Sequence, residues 1–461
     1  MKVTVLGAGP GGYVAALKAA QMGADVTVIE ESEVGGTCLN WGCIPTKTLI
    51  ASAEVLHKTR NAKSFGLELE GTISPNIEKI VERKNKVVGT QIKGIRGLFK
   101  SWGVNLVEGR GEIVSPKKIK ITNKEGSTTE IETDKIIIAT GSKPAQIPVF
   151  PFDGKRILSS DHAINPDSIP KSLLIVGAGV IGCEFAFIYK EFGSEVTMVE
   201  MMPNAVSTED EEISAILERE LKKNKIKLLK ETSVEKVDVK GDGVSVQLSN
   251  GKTVEAEKVL VSIGRAVNSR NIGLEAVGVN TGQRGDIIVD STMQTNVEGI
   301  YAIGDVVGGI MLAHLASTEG TVAAENAMGG NSKVNYDVVP AAIFTSPEIG
   351  SVGLREKQAV EKGLKYKVGR FQFRALGKAH AMGEIVGLFK IIADQETDKI
   401  LGAHIIGAHA SDLIHEIALA MEKGLTVKDI AHTIHSHPTL AEGIMEAAED
   451  VHDAAIHAPK K

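Results

Sequence analysis

The chain has 461 residues and a formal net charge of −6, a length that suggests about three folded units at roughly 150 residues each. That near-neutral balance offers no basic face to nucleic acid or to an anionic membrane. Three cysteines cannot staple a secreted disulfide scaffold, and the 49 glycines exceed an average composition, so where these residues fall carries the reading.

Val3–Leu6 is apolar and runs directly into Gly7-Ala8-Gly9-Pro10-Gly11-Gly12. A strand this close to Met1 leads us to expect no leader peptide and a cytoplasmic location. A helix is predicted from Tyr13 to Met22, then a second strand, Val26–Ile29, ending at Glu30. This is the pattern of a dinucleotide-binding unit. Gly7 permits the tight turn, Gly9 lets the backbone approach a pyrophosphate at the helix N-terminus, and Gly12 lets helix and strand pack closely. Glu30 stands where a carboxylate can accept both ribose hydroxyls.

Next comes Gly35-Gly36-Thr37-Cys38-Leu39-Asn40-Trp41-Gly42-Cys43-Ile44-Pro45-Thr46-Lys47. The Cys38–Cys43 spacing does not match a usual zinc knuckle, and no second pair completes a metal site. In a reducing compartment a close pair suits redox chemistry better than a structural role; spacing alone leaves redox, structural and metal readings open.

The nucleotide pattern then recurs. Leu173–Val176 leads into Gly177-Ala178-Gly179-Val180-Ile181-Gly182, a helix is predicted to Phe192, and Val196–Val199 ends at Glu200. Gly7 to Glu30 and Gly177 to Glu200 are equal in length and offset by 170 residues. Two such units imply two dinucleotides. Met201, Met202 and Pro203 follow Glu200, with no arginine for a 2′-phosphate, so the second unit should prefer NAD to NADP. The stretch 173–188 is apolar but contains Glu184 and is too short to span a bilayer. Cys183 lies in the second nucleotide helix and reads as packing.

Near the C-terminus His432, His435 and His437 crowd together. A metal site is the tempting reading, but no cysteine or compact acidic set converges there, and solvated loop and helix-end histidines are expected instead. His437-Pro438-Thr439-Leu440-Ala441-Glu442 opens a predicted helix with Pro438 near its first position, running to about Ala455. Glu442 could hold one imidazole nitrogen of His437 and leave the other as a base. A lone pair at this spacing is equally compatible with a structural role.

Together these segments resemble the flavin-dependent pyridine nucleotide-disulfide oxidoreductases, and within them the branch that oxidises dihydrolipoyl groups. The likeness runs over essentially the whole chain. It includes the Cys38/Cys43 segment, Ile137-Ile138-Ala139-Thr140-Gly141, Tyr301-Ala302-Ile303-Gly304-Asp305 with Met311-Leu312-Ala313-His314, and the His437–Glu442 segment. The resemblance implies an α/β fold: two Rossmann-like dinucleotide-binding domains, for FAD and NAD, plus a C-terminal α+β dimerisation domain. Its expected limits are 1–142 for the first FAD part, 143–263 for NAD, 264–337 for the return segment and 338–461 for the interface.

It further implies FAD contacts from Gly7, Gly9, Gly12, Glu30, Lys47, Gly111, Ala139, Thr140, Gly141, Asp305, Met311, Ala313 and His314. Contacts on the NAD side would come from Gly177, Gly179, Ile181, Gly182, Glu184, Glu200, Val234 and Gly264. Cys38 would be the interchange thiol, Cys43 the thiol against the flavin, and Lys47 would pair with Glu184. His437 and Glu442 would serve the partner protomer's site, which requires a homodimer. Lipoyl domains, an acyltransferase of a 2-oxo acid dehydrogenase complex or a glycine cleavage protein are the implied partners. The absence of arginines after Glu200, of a tyrosine at Ile181 and of C-terminal cysteines sets the chain apart from NADPH-dependent siblings. A related disulfide reductase, or a flavin-binding subunit without turnover, is the alternative.

Overall fold

The computed structural model describes residues 1–460. Its first unit is a parallel five-stranded sheet in the order Ile300–Ala302, Lys135–Ile138, Lys2–Leu6, Asp25–Glu30, Asn105–Glu108. The strands are nearly continuous in apolar residues because both faces are covered; Val3, Val5, Val28, Ile136 and Ile137 are buried. The second unit repeats the plan with Lys227–Leu229, Glu195–Val199, Ser172–Val176, Lys258–Val261 and Ile157–Leu158. Register repeats too: Val3 pairs with Val26, and Leu173 with Val196.

The chain leaves the first unit and returns to it along one two-stranded ribbon, where Ser142–Pro144 lies antiparallel to Arg265–Val267. The helix Cys43–Arg60 lies between the units, its Leu49, Ala53 and Leu56 sharing a core with Phe185, Ile188 and Tyr189 of the helix Val180–Phe192.

The C-terminal part is an antiparallel five-stranded sheet, Ala341–Ile343, Glu348–Gly353, Ile400–Gly407, Leu388–Asp394 and Tyr366–Gln372, covered by Ala410–Glu422 and Glu442–Asp450. It is stitched to the second unit by a buried cation. Lys390, 1% exposed, pairs with Asp210, Glu212 and Glu356 at 2.9, 2.7 and 2.6 Å, and Arg370 also pairs with Glu212 and Glu356. No helix among the described residues is long and apolar enough to cross a membrane.

Two expectations are corrected here. The helix after His437 begins at Glu442 rather than at Pro438, and it ends at Asp450 rather than near Ala455. The His437–Pro438 peptide is cis, and Glu442 accepts the Thr439 N–H at 2.8 Å, so residues 437–441 form a loop folded back on the carboxylate. Beyond Asp450 the chain turns, with Ala454 N–H bonded to Glu449 O. Nor is His435 solvated: its side chain is 5% exposed, with Nε2 2.8 Å from Glu416 Oε1.

Candidate active site

Each glycine loop ends a central strand and starts a helix whose N-cap has no side-chain partner, Gly9 before Pro10–Gln21 and Gly179 before Val180–Phe192. The first-turn N–H groups are therefore free to meet an anion. Side chains are excluded by contact: a Cβ on Gly12 would fall 2.0 Å from Gly7 O, and one on Gly182 would fall 2.0 Å from Gly177 O. Gly7 and Gly177 lie at φ 101° and 97°, where a side chain is strained.

The acids match as closely. Glu30 accepts Ala8 N–H at 2.6 Å and Ser32 N–H at 2.8 Å; Glu200 accepts Ala178 N–H at 2.6 Å and Met202 N–H at 2.8 Å. Burial pushes the Glu30 carboxyl above its ordinary value, opposed by those two N–H groups. Both acids are thus oriented before any nucleotide arrives.

One cavity of about 1730 Å³ joins these features. Its wall includes Gly7, Gly9 and Glu30, then Gly111, Ala139, Thr140 and Gly141, then Asp305, Met311, Ala313 and His314, and it reaches Ile181 and Glu184 of the second unit. Gly12 lies behind the first loop. On the second unit Gly264, at φ 116°, accepts Ala145 N–H, and Val234 opens a strand two residues after Thr232, whose N–H bonds Glu200 O. Neither they nor Gly177, Gly179, Gly182 and Glu200 line this cavity.

Cys38, Cys43 and Lys47 line the same cavity. Cys43 is the first residue of Cys43–Arg60, a position that favours a thiolate. Both cysteines are free thiols, and each sets the ionisation of the other. Sharing a proton with Cys38, with the Lys47 charge, lowers the Cys43 thiol to about 7, while Cys38 is pushed well up by Cys43 and by burial. The pair can thus exist as one thiolate and one thiol, close enough to exchange electrons as a disulfide. Lys47 Nζ lies 2.8 and 2.9 Å from the two oxygens of buried Glu184, which also accepts Phe344 N–H at 3.0 Å; the ammonium stands 4.6 Å from the Phe344 ring centroid.

His437 is elsewhere. Its Nδ1 lies 2.8 Å from Glu442 Oε1, its side chain is 77% exposed, and neither residue lines the cavity that holds the cysteines. Burial alone would raise the Glu442 carboxyl, but His437 and the Thr439 N–H hold it below the usual range. Cys183 is fully buried, its thiol donating to Ala178 O at 3.3 Å, and burial pushes its pKa up. It is inert packing. No group of metal-ligating side chains forms among the described residues.

Sequence reasoning missed the neighbours of Asp305. Ser142 Oγ donates to Asp305, Arg265 Nε lies 2.6 Å from Ser142 Oγ and 3.5 Å from Asp305, and an Arg265 Nη donates to Ser142 O at 2.9 Å. The available signal was a lone arginine directly after Gly264 in the segment that re-enters the first unit.

Residues 1–320 match the profile of the pyridine nucleotide-disulphide oxidoreductases, and residues 339–448 match the dimerisation domain of the same class. The chain belongs to the pyridine nucleotide-disulphide oxidoreductase family. It is 45% identical to the dihydrolipoyl dehydrogenase of Chlamydia trachomatis over 457 residues, covering 99% of this chain and 97% of that one. It is 43% identical to the mitochondrial dihydrolipoyl dehydrogenase of Pisum sativum over 462 residues, covering 99% and 92%. Among solved structures, LpdA of Mycobacterium tuberculosis superposes with a TM-score of 0.92 at 33% identity, covering 97% of this chain and 99% of that one. The protein is a flavoprotein oxidoreductase that takes FAD and NAD.

Proposed function

We propose that this enzyme oxidises protein-bound dihydrolipoyl groups to lipoyl groups with NAD⁺ as acceptor, using Cys38 and Cys43 as its redox disulfide. The observation that carries this reading is the pair of free thiols, Cys38 and Cys43, on the wall of a cavity shared by both nucleotide units. The first loop, Glu30 and Asp305 would hold FAD; the glycines exclude side chains where a pyrophosphate must approach, so the residues fit that group. The second loop and Glu200 would hold NAD. We assign residues 1–142 and 264–337 to the FAD domain, 143–263 to the NAD domain and 338–461 to the interface.

His437, its ring fixed by Glu442, takes the proton of one substrate thiol. That thiolate attacks Cys38, the Cys38–Cys43 bond breaks, and Cys43 leaves as the thiolate that Lys47 stabilises. The second substrate thiol, deprotonated in turn, displaces Cys38, which leaves as a thiol; the substrate is now a disulfide and the enzyme holds two electrons. FAD, held by the first loop, Glu30 and Asp305, would supply the two-electron relay by which this pair reaches NAD⁺ as a hydride equivalent, with one proton released overall. His437 lies outside its own chain's cavity, which supports its acting on the cysteines of a partner in a homodimer. The partners would be lipoyl domains of a 2-oxo acid dehydrogenase acyltransferase or a glycine cleavage protein, in the cytoplasm.

The test is turnover of dihydrolipoamide with NAD⁺ against glutathione disulfide with NADPH. Activity in the first pair alone, abolished in Cys43→Ser, is expected. Full lipoamide turnover by that variant would refute the mechanism.

A further inference from the structure

Helix Ala313–Ala327 carries a carboxylate that the reaction above leaves unused. Glu319 is 3% exposed. Its Oε2 accepts the Gly304 N–H at 2.6 Å, and its Oε1 accepts the Tyr336 hydroxyl at 2.8 Å. Gly304 is left-handed, φ 71°, and a Cβ there would stand 3.2 Å from Ala316 Cβ. Asp305 follows immediately, in the short turn Gly304–Val307. The helix bearing Glu319 is itself fixed against the phosphate-loop helix Pro10–Gln21 by a contact too close for side chains: a Cβ on Gly320 would lie 2.5 Å from Gly11 O. Glu319 thus links a rigid reference, seated on the pyrophosphate helix, to the turn that presents Asp305.

A buried carboxylate is expensive unless its lone pairs are used. Burial and nearby Asp305 both push the Glu319 carboxyl upward, opposed by the Gly304 N–H and the Tyr336 hydroxyl. Packing alone would be served by an apolar residue, whereas this site places a strong acceptor on the N–H of Gly304, the residue before Asp305. Charge-assisted hydrogen bonds are short and directional, which suits a group that sets a position. Tyr336 lies just before the interface domain and locks the second oxygen, so the flavin turn is also tied to the segment leading there.

We propose that Glu319 is a positioning residue for the flavin site, holding the Gly304–Asp305 turn, with Tyr336 as its support, so that Asp305 meets the ribitol hydroxyls of FAD. The inference rests on the reading that Asp305 binds FAD. Its test is a double-mutant cycle on the holoenzyme, in which FAD affinity is read from the fluorescence of released flavin on serial dilution, with the thermal midpoint of each apoprotein measured alongside.

Glu319→Gln and Asp305→Asn are each expected to weaken FAD binding by about tenfold, the scale of one lost hydrogen bond to a charged group. The double variant should lose little more than either single one, because Glu319 works through Asp305. Losses that multiply to about a hundredfold, or a Glu319→Gln protein that retains FAD as the parent does, overturn the inference and leave the Asp305 reading standing. An Asp305→Asn protein with unchanged affinity overturns both. If Glu319→Gln does not fold, Tyr336→Phe decides: a loss of about threefold that vanishes in the Asp305→Asn background supports the inference, and one that persists overturns it.

Discussion

Replacing Lys47 by methionine should slow the chemistry of Cys43 by removing charge while keeping bulk. Cys43 and Lys47 are four residues apart on the helix Cys43–Arg60, which places their Cβ atoms about 5–6 Å apart. A unit charge at about 6 Å, in an effective dielectric of about 20, stabilises a thiolate by about 2.8 kcal/mol. Glu184 holds that same ammonium and opposes its field on Cys43. Taking half leaves about 1.4 kcal/mol, a factor of about 10 in the ionisation constant. Cys43, lowered to about 7, is about half thiolate at pH 7; in the variant it would be about one-tenth, so alkylation slows about fivefold. The assay is the pH dependence of iodoacetamide labelling of the dithiol-reduced enzyme, with Cys38 and Cys43 distinguished by fragment-ion mass spectrometry. Glu184→Gln should move Cys43 the other way, since it deletes the anion that raises it. A Lys47→Met rate within about twofold of the parent at pH 7, or both variants shifting alike, would refute the electrostatic account.

His437→Gln should cut dihydrolipoamide turnover by about 10²–10⁴, the range for a lost general base, while NADH-driven reduction of ferricyanide stays near the parental rate; equal losses in both assays would count against the assignment. Glu200, fixed by two backbone N–H groups, should exclude a 2′-phosphate, so Glu200→Ser with Met201→Arg should lower kcat/KM for NAD⁺ by at least about tenfold and raise it for NADP⁺. Lys390→Met leaves Asp210 without its cation and Glu212 and Glu356 with Arg370 alone, and should lower the thermal midpoint at pH 7 by about 5–10 °C. Burial would raise Glu212, but Arg370 and Lys390 hold it down, to about 2. A depressed carboxyl stabilises the fold fully above its ordinary value of 4.5 and loses that contribution as pH falls toward 2. The gap between Lys390→Met and the parent should therefore narrow over that window, and a gap unchanged at pH 3 would show that the network carries no such charge coupling.

What could be read from the residues was what backbone geometry forces into residue identity. Gly7, Gly12, Gly177 and Gly182 are visible because no other residue fits where they stand, and the acids at Glu30 and Glu200 follow at a fixed distance along the same local unit. The Lys47–Glu184 pair, spanning 137 residues, was available only through family likeness. The partnership of Arg265 with Ser142 escaped notice because it spans 123 residues. Lys390 was invisible for a related reason: it sits in an apolar strand, Leu388–Asp394, and only the second unit's acids, brought in by tertiary packing, make a cation tolerable there. The start of the last helix was misplaced because Pro438 looks like a first-turn residue, whereas Glu442 draws the preceding loop back on itself.

The ribbon at Ser142–Pro144 and Arg265–Val267 bears on the order in which the chain is made. Strand Lys135–Ile138 takes its outer neighbour from Ile300–Ala302, so the first sheet keeps an unsatisfied edge until the ribosome has passed residue 302. The sheet of the second unit is contiguous from Ile157 to Val261 and can close on its own. Domains form as units during synthesis, so the nucleotide unit encoded second is the one positioned to mature first, and the unit encoded first waits for it with one edge open to mispairing.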